Sequence, residues 1–365
     1  MGSGKEGKSQ SIFESLKKRG VSRREFLGFC STMAATLALP AGFGAKIAEA
    51  LEKEKKPSVV WLEMQACTGD TESLLRASRP KVGELVLDII SYDYHETIMA
   101  PAGHMATKSL DDVVRNLKGK YIAIVEGSIP TKDGGVYCCV GGKAGVDIVK
   151  EVCGNSAATI AVGNCAWDGG LPAAKPNPTG AVGVKDVVKG KPIVNLPGCP
   201  MNVENLTAVI VHYLTFGTLP DMDSMGRPLF AYGKRIHDNC ERRAHFDAGQ
   251  FVRQWGDAGH REGWCLYEMG CKGPETFHNC PTMKWNEGVS WPVQSGHGCI
   301  GCASPHFWDA MTPFYRRLPK PPGFGVESTA DKVGLGLAAV TAAGLAAHGA
   351  IRAARGKSSD KDKEE

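Results

Sequence analysis

Short apolar runs alternate with amphipathic stretches up to about residue 214. The runs predict buried strands and lie at 58–62, 84–90, 121–126, 159–162 and 192–196. Stretches with a helical spacing of apolar residues lie between them, at 71–77, 110–117, 145–153 and 202–214. This alternation predicts an α/β fold with a doubly wound, flavodoxin-like parallel sheet, which places ligands beyond the carboxyl ends of its strands.

The alternation is lost beyond residue 220, where Gly, Pro, Trp and Asn replace the long apolar runs. A segment of this kind buries little apolar surface, so inorganic cross-links would have to stabilise it. We therefore predict a flavodoxin-like domain over residues 51–220 and a loop-rich domain over residues 221–325.

The N-terminal residues have the pattern of an export signal. A twin arginine, Arg23-Arg24, precedes a stretch without charged residues at 26–45. This order is typical of the twin-arginine export route, and the small residues at 48–50 fit a cleavage site. Residues 1–50 are expected to be a signal peptide that is removed and contributes nothing to the fold. A surface helix with a chance arginine pair is the alternative.

A second segment without formal charge lies at 333–351. Its 19 residues, at about 1.5 Å each, nearly cross a hydrocarbon core of about 30 Å. Arg352, Arg355 and Lys357 follow it, and basic residues favour the cytoplasmic side. We predict that residues 326–365 form a transmembrane helix with a cytoplasmic tail. The alternative is a buried or amphipathic helix of a soluble chain.

Composition excludes two broad classes of protein. Hydrophobic residues make up 42% of the chain and charged residues 22%, which is typical of a globular protein and not of a disordered one. The formal net charge of +4 is too small to indicate a nucleic-acid-binding protein. Exported proteins usually pair their cysteines as disulfides. The twin-arginine route, however, exports folded proteins with cofactors already inserted, so the 13 cysteines here can be metal ligands.

Three of the cysteines follow predicted strands. Cys67 comes after the first strand, Cys165 after the fourth and Cys199 after the fifth. Because parallel strands end at the same edge of a sheet, these three thiols are expected to converge there. The alternative is that they are three buried structural thiols.

Seven further candidate ligands lie in the second half of the chain. They are His237, Cys240, Cys265, Cys271, Cys280, Cys299 and Cys302. Soft ligands of this kind fit zinc or iron–sulfur sites, and structural zinc takes four per site. Seven divides into four and three, which favours a 4Fe–4S cluster on the first four and a 3Fe–4S cluster on the last three. Zinc is the alternative.

Several longer motifs carry a family resemblance. They are Asp93-Tyr94-His95-Glu96-Thr97, AAKPNPTG at 173–180, Val203-Glu204-Asn205, His237-Asp238-Asn239-Cys240, Cys271-Lys272-Gly273-Pro274 and WPVQSGH at 291–297. On these motifs the chain, from about residue 58 to 316, resembles the small, electron-transfer subunit of membrane-bound nickel–iron hydrogenases. The export signal and the C-terminal anchor match that family as well.

The resemblance implies two 4Fe–4S clusters and one 3Fe–4S cluster in a row. The proximal 4Fe–4S cluster would be held by Cys67, the residue at position 70, Cys165 and Cys199. The medial 3Fe–4S cluster would be held by Cys280, Cys299 and Cys302. The distal 4Fe–4S cluster would be held by His237, Cys240, Cys265 and Cys271.

Position 70 departs from the family pattern. The family has Cys-Thr-Gly-Cys at the proximal site, and this chain has Cys67-Thr68-Gly69-Asp70. The spacing is intact, so Asp70 is expected to replace the thiolate by a harder oxygen ligand. The alternative is that Asp70 caps the following helix. Oxygen-tolerant relatives have a six-cysteine proximal cluster, which Gly69 leaves incomplete, so Cys138 and Cys139 are expected not to be ligands.

The resemblance also implies a function and a location. The chain would relay electrons from H2 oxidation at a NiFe site on a separate large subunit to a membrane or periplasmic acceptor. A cytochrome b-like or quinone-linked subunit would accept them at the periplasmic face of the cytoplasmic membrane. The alternative is an exported, metal-stabilised binding protein without redox activity.

Overall fold

The computed structural model describes residues 11–78, 80–318 and 326–361. The chain divides into two compact units, one that ends at Leu318 and one that begins at Pro319. The first unit contains all the candidate ligands. The second contains one long helix.

The described residues form nine strands. They are β1 (Ser58–Glu63), β2 (Ser91–His95), β3 (Tyr121–Glu126), β4 (Ile129–Pro130), β5 (Cys139–Val140), β6 (Lys143–Ala144), β7 (Ala158–Val162), β8 (Ala181–Val182) and β9 (Ile193–Leu196). Five of them make one parallel sheet in the order β2-β1-β3-β7-β9. Numbered by their place among the five, these strands have the 2-1-3-4-5 order of doubly wound, flavodoxin-like folds.

Seventeen α-helices occur in the described part of the chain. They are α1 (Ile12–Lys18), α2 (Arg23–Thr36), α3 (Phe43–Lys53), α4 (Gly69–Leu75), α5 (Val82–Glu84), α6 (His104–Asn116), α7 (Gly145–Asn155), α8 (Gly163–Asp168), α9 (Gly170–Ala173), α10 (Val184–Val187), α11 (Val203–Phe216), α12 (Leu229–Tyr232), α13 (Arg243–Asp247), α14 (Ala258–Arg261), α15 (Cys280–Met283), α16 (Phe307–Ala310) and α17 (Val326–Lys361). A π-helical turn covers Leu85–Ile89, and 3₁₀ turns cover Lys132–Gly135 and Ile236–Asn239.

The predicted α/β fold with a parallel sheet is confirmed, but one predicted strand is wrong. Within the predicted strand 84–90, residues 84–89 form the end of α5 and the π-helical turn, and strand β2 begins only at Ser91. Leu85 and Ile89 are both buried, so one side of this helical turn faces the core. An apolar run of this length has the same composition in a buried helical turn as in a buried strand.

The two faces of the sheet bury separate apolar layers. Side chains alternate along β1, so Val59 and Trp61 pack on the layer that contains α11, whereas Val60 and Leu62 pack on the layer that contains α7. These four side chains have no exposed surface. Burial on both faces is typical of parallel sheets and explains the nearly continuous apolar runs in the sequence. Burial of both faces also holds the carboxyl ends of the strands in place, and the candidate site lies at these ends.

Helices α1 to α3 correct the expectation that residues 1–50 contribute nothing to the fold. Ile12, Phe26 and Ile47 are almost completely buried in the layer that also contains α11. Capping boxes begin α1 and α2, because Ser11 and Ser22 each exchange hydrogen bonds with the glutamate three residues later. In the uncleaved chain this segment is therefore part of the first unit, since its apolar side chains are buried there and not exposed to water.

The residues from 217 to 318 contain helices of only four or five residues, a 3₁₀ turn and isolated bridges. A small apolar cluster holds this region, and two of its buried members are the predicted ligands Cys280 and Cys299. The region lies in the same compact unit as the sheet. The apolar cluster is small, as expected for a segment that needs inorganic cross-links for its stability.

The second unit is the helix α17. It contains the segment Val333–Arg352, whose 20 residues have a mean hydropathy of 1.5 and are long and apolar enough to cross a membrane. The side chains of this segment are exposed in the chain described here.

Candidate metal centres

The strand ends bring Cys67, Cys165 and Cys199 to one edge of the sheet, as the sequence predicts. Cys165 lies in α8, which begins directly after β7, and Cys199 follows β9 by three residues. Burial raises the pKa of the Cys199 thiol to about 12. Nearby ionisable groups add to the rise, in decreasing order Cys302, Cys165, Asp70 and Cys67.

Glycines leave space around two of these sulfur atoms. A Cβ atom on Gly69 would lie 3.1 Å from Cys67 Sγ, and a Cβ atom on Gly170 would lie 2.6 Å from Cys165 Sγ. Side chains at these two positions would therefore occupy space beside the sulfur atoms. Three thiols in a site lined by glycine fit an iron–sulfur cluster, for which cysteine thiolates are the usual ligands.

Asp70 belongs to this group of residues and does not cap the helix that contains it. Its Oδ1 accepts a hydrogen bond of 2.7 Å from the Met201 backbone N–H, and the N-cap position of α4 is Thr68. The alternative of a helix cap is therefore wrong. Burial raises the pKa of Asp70 to about 8, and the carboxylate of Glu126 adds to the rise. A Cβ atom on Gly163 would lie 2.1 Å from Asp70 Oδ2, so only glycine fits there.

Glu126 is a residue of this site that the sequence analysis missed. It ends β3, is 1% exposed and accepts hydrogen bonds from the backbone N–H groups of Asp70 (3.0 Å) and Thr71 (3.1 Å). The Thr71 hydroxyl (2.7 Å) and the Trp61 indole N–H (3.1 Å) also donate to it. Glu126 thus fixes the first turn of α4 against the sheet. A charged residue directly after an apolar run of five was the available signal.

The medial set, Cys280, Cys299 and Cys302, is also brought together. Burial raises the pKa of Cys299 well above the usual range of a thiol. The groups that add to this rise are, in decreasing order, Cys271, Cys302 and Cys280. The Gly301 backbone N–H points at Cys299 Sγ from 3.4 Å. Hydrogen bonds of this kind to sulfur are one of the means by which a protein tunes a cluster's potential.

The distal set lines one cavity. His237, Cys240, Cys265 and Cys271 all border one small cavity. Burial raises the pKa of Cys240 to about 11 and that of Cys265 to about 12, and it lowers the pKa of His237 to about 4. The imidazole is therefore neutral at pH 7, which is the form that binds metal. The four residues fit a cluster with one imidazole ligand.

The three sets touch one another in sequence from proximal to distal. The proximal and medial sets are neighbours, because Cys302 is the ionisable group that raises the pKa of Cys199 most, after burial. The Cys299 backbone N–H donates to Cys271 Sγ at 3.3 Å, which joins the medial and distal sets. Asn164 adds a further link, since its amide donates to the Cys302 carbonyl and its Oδ1 accepts from Gly198 N–H at 2.9 Å.

Within the described residues, no group of three or more His, Cys, Asp or Glu side chains is arranged to hold a single metal ion. A structural zinc ion needs four ligands at about 2.0–2.3 Å. A cluster instead takes each ligand on a different iron atom and so needs them further apart.

Comparisons with known proteins identify the family of this chain. Residues 232–315 match the family model of the C-terminal region of the NiFe/NiFeSe hydrogenase small subunit. Residues 67–213 match the model of the NADH ubiquinone oxidoreductase 20 Kd subunit. The uptake hydrogenase small subunit of Azotobacter vinelandii is 47% identical over 344 residues, which cover 94% of this chain and 96% of that protein. The chain belongs to the small subunits of nickel–iron hydrogenases.

Other hydrogenase small subunits are similar over most of their length. The quinone-reactive Ni/Fe-hydrogenase small chain of Wolinella succinogenes is 45% identical, and the match covers 92% of this chain and 97% of that one. A solved [NiFeSe]-hydrogenase structure from Dm. baculatum has a TM-score of 0.68 at 35% identity, and the match covers 73% of this chain and 100% of that chain. As a hydrogenase small subunit, this protein relays electrons, and the NiFe active site lies on its partner.

The remaining cysteines of this hydrogenase subunit lie outside the three sets. Cys138 and Cys139 lie at the start of the β5–β6 hairpin, and Cys138 packs beside Gly145. Cys153 is buried in α7 and Cys30 in α2. Ionisable neighbours of Cys138 are Glu96 and Cys139, and none of the proximal residues is among them.

The raised thiol pKa values predict how cluster loading depends on pH. The pKa values near 11 and 12 keep these thiols protonated at pH 7, and the thiolate is the form that binds metal. Below the pKa, two units of pH raise the thiolate fraction about 100-fold. We expect cluster-free protein supplied anaerobically with iron and sulfide to load faster at pH 9 than at pH 7. Iron bound per chain against time measures this.

The exposed Cys139 provides the control for this experiment. A Cys139→Ser variant should load with the same pH dependence, because Cys139 belongs to none of the three sets. A loading rate that is flat or that falls between pH 7 and pH 9 would contradict the prediction.

Proposed function

We propose that this chain holds a proximal 4Fe–4S, a medial 3Fe–4S and a distal 4Fe–4S cluster on the three sets described above, and that electrons pass along them in that order. The observation that carries the proposal is that neighbouring sets are joined by hydrogen bonds. The Cys299 backbone N–H donates to Cys271 Sγ, and the Asn164 side chain links the Cys302 carbonyl to the N–H of Gly198, next to Cys199. Adjacent ligands make a short path for electrons.

When bound, the clusters accept and release one electron at a time. The protein's own contribution is to hold the ligands, to exclude water from most of them and to set the potentials. The neutral His237 removes one negative charge from the distal site relative to a fourth thiolate, which favours a higher potential there. Backbone N–H groups at the Cys240, Cys271 and Cys299 sulfur atoms act in the same direction.

The proposed clusters would divide the chain at about residue 220. The flavodoxin-like domain at 51–220 would hold the proximal cluster, and the loop-rich domain at 221–325 the other two. A large subunit would cover the proximal side, where Cys67 and Cys199 are exposed. The relative from Wolinella succinogenes is named quinone-reactive, which supports a quinone-linked membrane acceptor for this chain.

We also propose that the twin-arginine signal at 1–50 directs export and that 326–365 anchors the chain, with its tail in the cytoplasm. The pair Arg23 and Arg24 and the apolar segment Val333–Arg352 support this location. The alternative of a binding protein without redox activity is not favoured, because relatives at 45–47% identity are hydrogenase small subunits.

The direct test of the function is purification of the protein with its partners from membranes. We expect a brown complex that contains a large subunit, oxidises H2 and reduces an artificial dye. Iron and sulfide analysis should find about 11 iron atoms on this chain, the sum of two 4Fe–4S clusters and one 3Fe–4S cluster. A colourless chain that contains zinc, or a complex that does not take up H2, would overturn the proposal.

Two variants test the location. Replacement of Arg23 and Arg24 by lysine should leave the folded protein in the cytoplasm, because the export route reads the arginine pair. A chain that ends at about residue 327 should keep its clusters and move to the soluble periplasmic fraction. Fractionation followed by immunoblotting measures both. If the truncated chain still sediments with membranes in high salt, the anchor lies elsewhere.

Asp70 is proposed as the fourth ligand of the proximal cluster. Its carboxylate is 8% exposed and adjoins Cys165 and Cys199, whose pKa values it helps to raise. Its bond with the Met201 N–H holds the side chain at the sheet edge. An oxygen ligand is harder than a thiolate and would give this cluster an unusual potential.

Three variants separate ligation from this hydrogen bond. Asp70→Cys should keep four irons at the proximal site and shift its potential and its paramagnetic spectrum. Asp70→Ala should lose an iron, and H2 uptake should fall while the medial and distal signals persist. Asp70→Asn keeps an oxygen acceptor for the Met201 N–H but loses the carboxylate, so it should behave like Asp70→Ala. Unchanged spectra and potentials in all three would show that Asp70 is not a ligand.

A further inference from the structure

A buried cation lies between the predicted medial and distal sets. Lys272 is 1% exposed although lysine is rarely buried completely. Its ammonium group donates to three backbone carbonyls: Gly270 O at 2.9 Å, Pro313 O at 3.2 Å and Arg316 O. An ammonium group has three N–H donors and a neutral amine only two, so three acceptors call for the charged form.

The backbone and stem of Lys272 contact both sets. Its neighbour in sequence is Cys271 of the distal set, and its own N–H donates to the carbonyl of Cys299, in the medial set, at 2.7 Å. A Cβ atom on Gly301, in the loop between Cys299 and Cys302, would lie 3.2 Å from Lys272 Cβ. The side chain therefore lies at the junction where the two sets meet.

The charge of Lys272 is not cancelled by an ion pair. Among the ion pairs of the described residues, none includes Lys272. Neutral carbonyls solvate the ammonium, and Glu275 is the carboxylate that interacts with it at longer range. Burial lowers the pKa of Lys272, whereas Glu275, Cys271 and Cys299 raise it. A buried charge without a close counter-charge acts strongly on groups around it, since the local dielectric constant is low.

We propose that Lys272 is a positioning residue whose fixed positive charge raises the reduction potentials of the medial and distal clusters together. An added electron on either cluster is stabilised by a nearby cation, so each one-electron reduction becomes more favourable. The hydrogen bonds of the same ammonium also hold the segment 313–316 close to Gly270, which precedes the distal ligand Cys271. This inference rests on the proposed cluster assignment and adds to it a residue that is not a ligand.

The test uses the intact complex and potentiometric titration followed by paramagnetic resonance. Lys272→Met, which keeps the length of the stem and removes the charge, should shift both potentials to more negative values. Lys272→Arg, which keeps the charge, should shift them less. Lys150→Met, an exposed change of the same charge on α7, is the control and should leave both potentials unchanged. Wild-type potentials for both clusters in Lys272→Met would overturn the proposal.

A second variant leaves the bonds of Lys272 to segment 313–316 in place. Glu275→Gln removes the carboxylate that partly offsets the cation, so it should move both potentials in the opposite direction, to more positive values. A shift of the same sign in Glu275→Gln and Lys272→Met would show that altered packing, and not charge, is the cause. If the wild-type complex lacks medial and distal signals altogether, the cluster assignment itself fails. If those signals are present and do not move, only the role of Lys272 fails.

Discussion

The common edge at which the parallel strands end is the constraint on which the other features of this subunit depend. Both faces of the sheet are buried, so its strands cannot slide without exposing Trp61 or Leu62. The residues after β1, β7 and β9 are thereby fixed, and three thiols far apart in sequence meet. The loops of the second half are then placed by contacts with that edge, through Asn164 and Cys199. A regular sheet thus positions an irregular region that has little core of its own.

The site also buries many ionisable groups. Thiols, carboxyl groups and one lysine are buried within a small region, and each is satisfied by backbone groups more than by ion pairs. Glu126 accepts two backbone N–H groups beside the proximal set, and Lys272 donates to three carbonyls where the medial and distal sets meet. A carboxyl group therefore lies at the proximal set and an ammonium group between the other two. With the proposed clusters in place, an ionised Glu126 would disfavour an added electron at the proximal cluster, and the ammonium of Lys272 would favour one at the medial and distal clusters.

Much of this could be predicted from the sequence. Apolar runs located the strands β1, β3, β7 and β9, and the position of the cysteines after strands indicated one site. The run at 84–90 was misassigned, because burial gives strands and short helical turns the same composition. The roles of Glu126 and Lys272 could not be read from the sequence, although the charge that ends the β3 run marks Glu126 as unusual, because their partners lie far away in the chain. Glu126 meets Thr71 from 55 positions away, and Lys272 meets Arg316 from 44. Only the fold brings such partners together.

If the proposed export signal is cleaved at residues 48–50, the packing of α3 determines the order of events in maturation. The small residues at 48–50 lie inside this helix, and Ala48 is 4% exposed. A protease binds its substrate as an extended strand, so α3 must detach and unwind before these bonds can be cut. Detachment would also uncover the ring of Phe216, on which Phe43 and Lys46 now lie. The mature protein would then have an apolar patch on α11 that its precursor lacks, and any partner that binds there would distinguish the two forms.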